Sequence, residues 1–490
     1  MPNSTIMFAG YPTAPVFKTK GGKSNIRELL WGDWVQLTGN AEDGWLPVAV
    51  RGTKGWMKQA DLQAKRCLEI IFLDVGQGDG CLLITPDDKH VIVDAGVSDN
   101  MLRFLRWRYA GFKSKWTFDA GILTHPDQDH YAGFQRIFEE PNVCFHSVYH
   151  NGIVERDAKD ELGPSTTVGG VKYLTDVIRT EQDLDGLLGD PANRGKKLYP
   201  KLLYTAFASG RVDDIRSLAT TDDYVPGYGA GDPVKLKILG PVIEPDAAGK
   251  ARLRWHPKEL GSKSWDAGKT KNGHSVVLRL EYGKLRLLLG GDLNRPAEMF
   301  LLNHYADGAT DEDALVAAGR KVFGCDVAKC CHHGSADFTE AFLKAVFPAA
   351  TVISSGDEES YAHPRSDTLG AIGLHGRPPR PLIFSTELSR SSRERESTNV
   401  LKEITDLRKQ LSKANTVEKL REVFALYDAE VKELEKRNVT VYGAINLRSD
   451  GEKAVIAYRL EEKRQSPSGL TEWDTYCLEP DAAGQLTYVP

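Results

Sequence analysis

The run Thr124-His125-Pro126-Asp127-Gln128-Asp129-His130 constrains this chain more than any other stretch, because it delivers two His and two Asp within six residues at the end of an apolar strand, Ala120–Thr124. A continuous strand or helix face cannot aim four donors at two neighbouring points, whereas a loop leaving a sheet can. The spacing pairs His125 with Asp127 at one cation and Asp129 with His130 at the next. Two such cations side by side polarise a scissile bond and activate a bridging water. A polar surface turn seldom gathers four donors at this spacing without a metal.

Other segments supply matching pieces. Asp94 ends the apolar run His90–Asp94 just before Ala95-Gly96, where a buried carboxylate is suited to orient a ligand histidine. Asp292 follows Leu-Leu-Leu-Gly-Gly at another strand end, a position suited to bridging both ions. His332-His333-Gly334-Ser335 follows a strand or turn at Cys325–Cys331, and His363 sits in Tyr361-Ala362-His363-Pro364. Singly, each reads as a turn or a packed histidine. In this order, each near the end of an apolar run, they argue jointly for one site.

The 490 residues, 41% hydrophobic and 27% charged, suffice for two or three folding units. Residues 1–66 read as short β segments broken by glycine and Asp/Asn turns, a small all-β barrel. Residues 67–395 carry strand-length apolar runs at Leu68–Val75, Gly80–Thr85, His90–Asp94, Ala120–Thr124, Val234–Leu239, Val276–Glu281, Leu285–Leu289, Ala350–Ser354 and Leu382–Ser385. Alternation with helical patterns, as at Met101–Tyr109, places this part in the layered α/β class. Residues 148–232, rich in Gly, Asp and Lys, read as a long insertion or lid. Residues 396–437 read as an amphipathic helical hairpin broken near Ser412–Thr416, short for a dimerising coiled coil. Residues 438–490 return to strands, Val439–Leu447 and Ala454–Leu460 around the Ser449-Asp450-Gly451 turn, completing or flanking the α/β unit.

The succession FLDVGQGDG, VDAG, LTHPDQDH, NGHSVVLRLEYG, LLLGGDL, CCHHGS and ISSG…YAHP resembles the metallo-β-lactamase superfamily, specifically the ComEC-type hydrolase domain associated with DNA uptake. The resemblance spans about Leu68 to Ser385 and implies an αββα sandwich with metal at one edge, hydrolysing a phosphodiester or another ester-like bond. Carried over by position, it implies metal ligands at His125, Asp127, Asp129, His130 and Asp292 and at His332 or His333, with Asp94 as the orienting carboxylate. Gln77, Asp79, Asn272, Ser275 and Ser335 match positions near the site and take substrate or supporting roles. Asp129, Asp292 and His363 are the catalytic candidates. The implied cofactor is a pair of divalent cations, Zn²⁺ or Mn²⁺, with Mg²⁺ a third candidate, since Asp127 stands where many superfamily members have histidine and so hardens the donor set. Two departures touch the late histidine: Ala362 replaces the usual Gly before it, and Glu359 stands where Asn is usual. Gly76, Gly78 and Gly80 lack the dinucleotide-binding spacing and lead into a strand, which excludes that alternative.

Gly32, Gly44-Trp45 and Gly55-Trp56 give residues 14–62 a resemblance to a bacterial Src-homology-3-like domain, which implies docking of a protein partner and no catalysis. A net charge of −5 argues against whole-surface attraction to nucleic acid. Local candidates are Arg103, Arg106, Arg108, Lys113 and Lys115 with Trp107, Tyr109 and Trp116, and the stretch Ser389–Arg395, though solvated faces account for each patch alone. Seven scattered cysteines without a CxxC pair read as reduced thiols, and with no signal peptide or membrane span the expected location is cytoplasmic, without a membrane partner. The leading expectation is a metal-dependent phosphodiesterase or nuclease acting on DNA. The alternatives are hydrolysis of a small ester, lactone, lactam or cyclic nucleotide, and a partner-binding subunit of a bacterial defence or DNA-processing complex, docking through the barrel or the hairpin.

Overall fold

The computed structural model describes residues 6–156, 160–309, 311–356, 361–389, 398–435, 443–466 and 469–490. Long apolar runs with both faces covered become the inner strands of two facing sheets. The ten-stranded sheet runs, in spatial order, Val212–Ser217, Val143–His150, Trp116–Ile122, His90–Ala95, Gly80–Ile84, Leu68–Phe72, Ile445–Ser449, Ala454–Ser466, Gly469–Pro480 and Leu486–Val489. The six-stranded sheet runs Val234–Gly240, Val277–Tyr282, Leu285–Leu289, Val327–Lys329, Ala350–Ile353 and Leu382–Ser385. Their inner faces share one core, in which Ile70, Leu83 and Val91 of the first meet Leu278, Leu287 and Val352 of the second. Helices Asn100–Arg108, Gln128–Glu139 and Leu198–Ala208 cover the outer face of the larger sheet. Arg295–Tyr305, Glu312–Phe323 and Glu340–Val346 cover that of the smaller. The result is an αββα sandwich preceded by an all-β region and carrying helical insertions.

Four strands of the larger sheet, from His90–Ala95 outward to Val212–Ser217, pair in parallel, as do the four of the smaller sheet from Leu285–Leu289 to Leu382–Ser385. Loops leaving the carboxyl ends of parallel strands gather at one edge, the usual place for a site in such sheets. The loops after Ile122, Leu289, Lys329 and Ile353 all do so here.

One expectation needs correcting. The segment 148–232 is not a single insertion, because it begins inside the strand Val143–His150 and contains the strand Val212–Ser217, which pair in parallel at the sheet edge. Within it, Tyr199 on Leu198–Ala208 packs its ring 4.8 Å from that of Tyr131. Part of the expected lid is therefore sandwich structure; outside it lies a small sheet, Ser165–Val168, Val171–Leu174 and Leu253–Arg254, with its own core around Leu162 and Trp255.

The hairpin helices span Thr398–Lys413 and Val417–Glu435, while the outermost positions expected for it, 396–397 and 436–437, lie outside the described residues, as do 439–442 of the expected next strand. The strands Ile445–Ser449, Ala454–Ser466, Gly469–Pro480 and Leu486–Val489 extend the ten-stranded sheet beyond Leu68–Phe72. The amino-terminal region forms a seven-stranded, wholly antiparallel sheet. It is fastened to the C-terminal strands: Glu28 Oε2 accepts from the backbone N–H groups of Glu472 (2.7 Å) and Trp473 (3.2 Å). Trp31 is buried between the two parts against Val455 and Trp473, whereas Trp34 is 47% exposed.

The expected basic patch is largely spent on ion pairs. Arg108 pairs with buried Glu69 (2.7 Å), the half-exposed Arg106 with Glu140 (2.6 Å), and Arg103 with Asp99 (3.1 Å). Trp116 and Tyr109 pack with His90 under the sheet, their rings 4.4 Å apart. Of the second patch, residues 390–395 lie outside the described residues. All seven cysteines are free, five of them buried. Among the described residues no helix is long and apolar enough to cross a membrane.

Candidate metal centre

The strand Trp116–Ile122 ends in Leu123 and Thr124, and the chain then turns so that His125 is wholly buried and Gln128 opens the helix Gln128–Glu139. That helix fixes His130 in its first turn. Thr124 anchors the loop from below, its backbone N–H and its hydroxyl donating to the two oxygens of Asp94 at 2.8 and 2.7 Å. The same Asp94 Oδ2 lies 2.8 Å from His130 Nδ1. A carboxylate at Nδ1 places the proton there and leaves the Nε2 lone pair for a cation.

His333 repeats the arrangement. Its Nδ1 lies 3.1 Å from Asp79 Oδ1 and 3.2 Å from the carbonyl of Ser354. The Nε2 atoms of His130 and His333 stand 3.2 Å apart, and Asp292 faces both, at 3.2 and 3.3 Å. Among the described residues, Asp79, His130, Asp292 and His333 offer one ligand atom each within 4.8 Å of one another, all four buried. Asp129 Oδ2 lies 3.6 Å from His333 Nε2 and accepts from Gln77 Nε2 at 3.3 Å.

A second group forms beside the first. His125 Nε2 is buried without a hydrogen-bond partner, 3.8 Å from Asp127 Oδ2 and 4.0 Å from Asp292 Oδ2. His332 Nε2 reaches to 3.9 Å of Asp292 Oδ2. Asp292 thus stands between the two groups. Adjacent residues ordinarily point apart, but His332 (φ 48°), His333 (φ 53°) and Gly334 (φ 82°) are all left-handed, which turns both imidazoles toward one edge.

The remaining expected residues divide. Asn272, with its amide turned to suit its neighbours, donates to Asp127 Oδ2 at 2.8 Å. Ser275 Oγ lies 3.4 Å from His125 Nδ1 and accepts from the Asp292 backbone N–H at 3.0 Å. His363 lines the mouth with Tyr361, their rings stacked 6.0 Å apart. Ser335 does not reach the cleft: its hydroxyl accepts from the Asp337 backbone N–H at 3.3 Å, and it borders an apolar cavity behind the histidine turn. Asp79 is not at the substrate surface but buried beneath the histidines. Glu359 lies outside the described residues.

Two lysines escaped the sequence reading. Lys329, 5% exposed, pairs with Asp79, lies 3.8 Å from Asp292 Oδ1 and donates to the carbonyl of Gly291 at 3.1 Å. Lys271 pairs with Asp127 and with Glu155 (3.1 Å). Lys329 had one visible signal, a charged residue inside the otherwise apolar run Val327–Cys331.

Electrostatics show what the site demands. Burial works against charge on His130, yet Asp292 and Asp94 outweigh it and raise its pKa well above the ordinary value. His333, likewise buried, is raised to about 10 by Asp292 and Asp79. Asp292 is held well below the carboxylate range despite its burial, by His130 and His333. His125 goes the other way, lowered by burial and by His130, so its ring stays neutral. The carboxylates therefore call for positive charge between the Nε2 atoms, and the buried His125 Nε2, without a hydrogen-bond partner, is a lone pair left for a cation. These residues fit a divalent cation. The cleft above them holds about 370 Å³ and is lined by Gln77, Gln128, Asn272, Tyr361 and His363 around the Asp and His groups.

The profile of the Metallo-beta-lactamase superfamily matches residues 80–356. ComE operon protein 3 of Bacillus subtilis (strain 168) is 26% identical over 219 residues, 44% of this chain and 24% of that protein. Competence protein ComA of Neisseria gonorrhoeae is 34% identical over 106 residues, 21% of this chain and 13% of that one. The chain thus spans a quarter or less of the length of these curated relatives. Among solved structures, the subclass B3 metallo-beta-lactamase MEM-A1 from a soil metagenome library aligns over 54% of this chain and 76% of its own, with TM-score 0.26 and 14% identity.

Proposed function

Because this chain belongs to the metallo-β-lactamase superfamily, we propose that it is a metal-dependent phosphodiesterase, most specifically a nuclease acting on DNA, with a dinuclear centre at the shared edge of its sheets. The observation that carries the reading is the pair of imidazoles, His130 and His333, whose Nε2 atoms face each other across Asp292 with a carboxylate behind each ring. One cation would be held by His130, Asp129, His333 and Asp292, the other by His125, Asp127, His332 and Asp292. Zn²⁺ and Mn²⁺ are the leading candidates, with Mg²⁺ third, since an oxygen-rich donor set favours harder ions. Two divalent ions supply Lewis acidity to a phosphoryl oxygen and a nucleophilic water at neutral pH.

The protein's own residues do the rest. Lys271 and Asn272 hold Asp127, and Lys329 offsets the charge of Asp79 so that it faces His333 without collapsing onto it. Gln77 and Gln128 offer amide hydrogens to phosphate oxygens at the cleft wall. His363, lowered to about 4 by burial and by His332 and His333, stands neutral at the mouth. DNA as substrate rests on the ComEC-type resemblance, and cytoplasmic location on seven free thiols.

A second reading is hydrolysis of a small ester, lactone, lactam or cyclic nucleotide. It is favoured by one observation: among the described residues lining the cleft there is no Lys or Arg to follow a polynucleotide backbone. One experiment separates the two. The purified protein is assayed for metal content and then against plasmid, single-stranded DNA and the small substrates, each with Mn²⁺, Mg²⁺ and Zn²⁺. DNA cleavage that vanishes with the metal in His125→Ala/Asp292→Ala supports the nuclease; undiminished cleavage by that folded, metal-free variant ends the assignment.

A further inference from the structure

We propose that Lys271 competes with a cation for Asp127, so that the centre takes up its two ions in order, the first at His130 and His333 and the second, more weakly, at His125 and His332. The inference rests on the dinuclear reading above and adds to it a residue that sets the order of loading.

The two groups are not built alike. In the first, the side chains of His130, His333 and Asp292 are at most 4% exposed. Each imidazole has a carboxylate behind it, Asp94 Oδ2 at 2.8 Å from His130 Nδ1 and Asp79 Oδ1 at 3.1 Å from His333 Nδ1, which strengthens the Nε2 donor. In the second, the side chains of Asp127 and His332 are 26% and 27% exposed. His125 Nδ1 faces two hydroxyls, of Thr124 at 3.1 Å and of Ser275 at 3.4 Å, and His332 Nδ1 is buried without a hydrogen-bond partner. Among the described residues, neither of these rings is backed by a carboxylate.

The carboxylates that flank the groups differ in the same sense. Asp129, in the first, accepts from the neutral amide of Gln77 at 3.3 Å. Asp127, in the second, has one oxygen paired with the Lys271 ammonium and the other accepting from the Asn272 amide at 2.8 Å. An ammonium in contact with Asp127 occupies a lone pair that a cation needs and sets a like charge beside it. Lys329 does not set the groups apart, because it pairs with Asp79 behind the His333 ring and stands 3.8 Å from Asp292, which both groups share.

Glu155 gives Lys271 a second place to rest. Its Oε1 lies 3.1 Å from Lys271 Nζ, and its side chain is 8% exposed. Its other cationic neighbour, Lys197, stands 4.0 Å away and is nearer to Glu161, at 3.1 Å. Lys271 thus projects from the helix Ala267–Gly273 between two carboxylates, one inside the metal centre and one outside it. When Asp127 turns to a cation, Lys271 stays on Glu155, and the ammonium is never left buried without a partner.

Titration of the chelator-stripped full chain with Mn²⁺, read by calorimetry and by the electron paramagnetic resonance of the free ion, tests this without any turnover. Wild type is expected to bind one ion tightly and a second about tenfold or more weaker. Lys271→Met is expected to tighten the second about tenfold. Glu155→Gln, which leaves Lys271 on Asp127 alone, is expected to weaken it about tenfold, and Lys271→Met/Glu155→Gln to bind like Lys271→Met. The first class should stay as in wild type throughout, which shows each variant to be folded at the centre; Lys271→Gln takes the place of Lys271→Met if that variant loses it. Equal classes in wild type, a second class no tighter without the lysine, loss of the first class in both lysine variants, or a Glu155→Gln effect that persists in the double variant would each overturn the proposal. A wild-type chain that takes up no Mn²⁺ ends the metal assignment itself, and this proposal with it.

Discussion

At the scale of single residues, the centre is built from side chains whose second contact matters as much as the first. Asp94 touches no cleft, yet it fixes Thr124 and His130 together. Asp94→Asn keeps the shape and removes the charge that makes His130 Nε2 a good donor. It is expected to weaken binding of the cation about 10–100-fold while leaving the unfolding transition near that of wild type, as titration calorimetry with Mn²⁺ or Zn²⁺ would show. Equal affinity in the two proteins would mean that Asp94 is only a packing residue. This carboxylate was legible in the sequence because it ends an apolar strand. The pairing of Asp79 with Lys329 was not, because the lysine comes from 250 positions away in the chain. Charge pairs of that separation leave no mark on local pattern.

Among elements, the turn Gly76–Asp79 and the loop that starts the helix Gln128–Glu139 are fitted backbone to backbone. The Asp79 N–H donates to the Asp129 carbonyl at 3.3 Å, and a Cβ on Gly78, at φ 105°, would stand 1.6 Å from that same oxygen. Gly78→Ala must therefore drive the two loops apart, and with them Asp79 and Gln77 from His333 and Asp129. A loss of at least about 3 kcal/mol in urea denaturation, with kcat/KM falling at least about a hundredfold, is expected; kinetics like wild type would show that the turn can move without disturbing the centre. Element ends of this kind were readable wherever an apolar run stopped at a motif. The strand Val212–Ser217 was not, because its sequence VDDIRS belongs to a sheet edge with alternating exposure and carries charges where inner strands carry Val and Leu. Taking it for loop extended the expected lid to residue 232 and hid two strands of the sandwich.

For the whole molecule, one buried charge network decides whether the amino-terminal sheet and the sandwich behave as a unit. Arg51 and Arg448 approach Asp33 at 2.9 and 3.8 Å, and Arg448 and Arg108 both pair with Glu69, at 2.6 and 2.7 Å. Asp33 and Arg51 belong to the first region, Arg108 to a covering helix, and Glu69 and Arg448 to adjacent strands of the large sheet. Although burial opposes ionisation of Glu69, Arg108 and Arg448 prevail and hold its pKa at about 2, from an ordinary 4.5. A carboxyl lowered in the folded state contributes stability that is complete above its unfolded pKa and is lost as pH falls from there toward the folded value. The window is thus between about 4.5 and 2, and the contribution lost is about 3 kcal/mol. Glu69→Gln removes this acid-labile increment and leaves two guanidinium groups buried without their carboxylate, costing about 3–5 kcal/mol near neutrality. Urea unfolding of both proteins across that acid range should show the difference between them shrinking as pH falls, with the two regions of the wild type unfolding together. A difference that stays constant with pH would mean that Glu69 does not hold its proton off at the expected strength, and the joint would then rest on Trp31 and the Glu28 contacts alone.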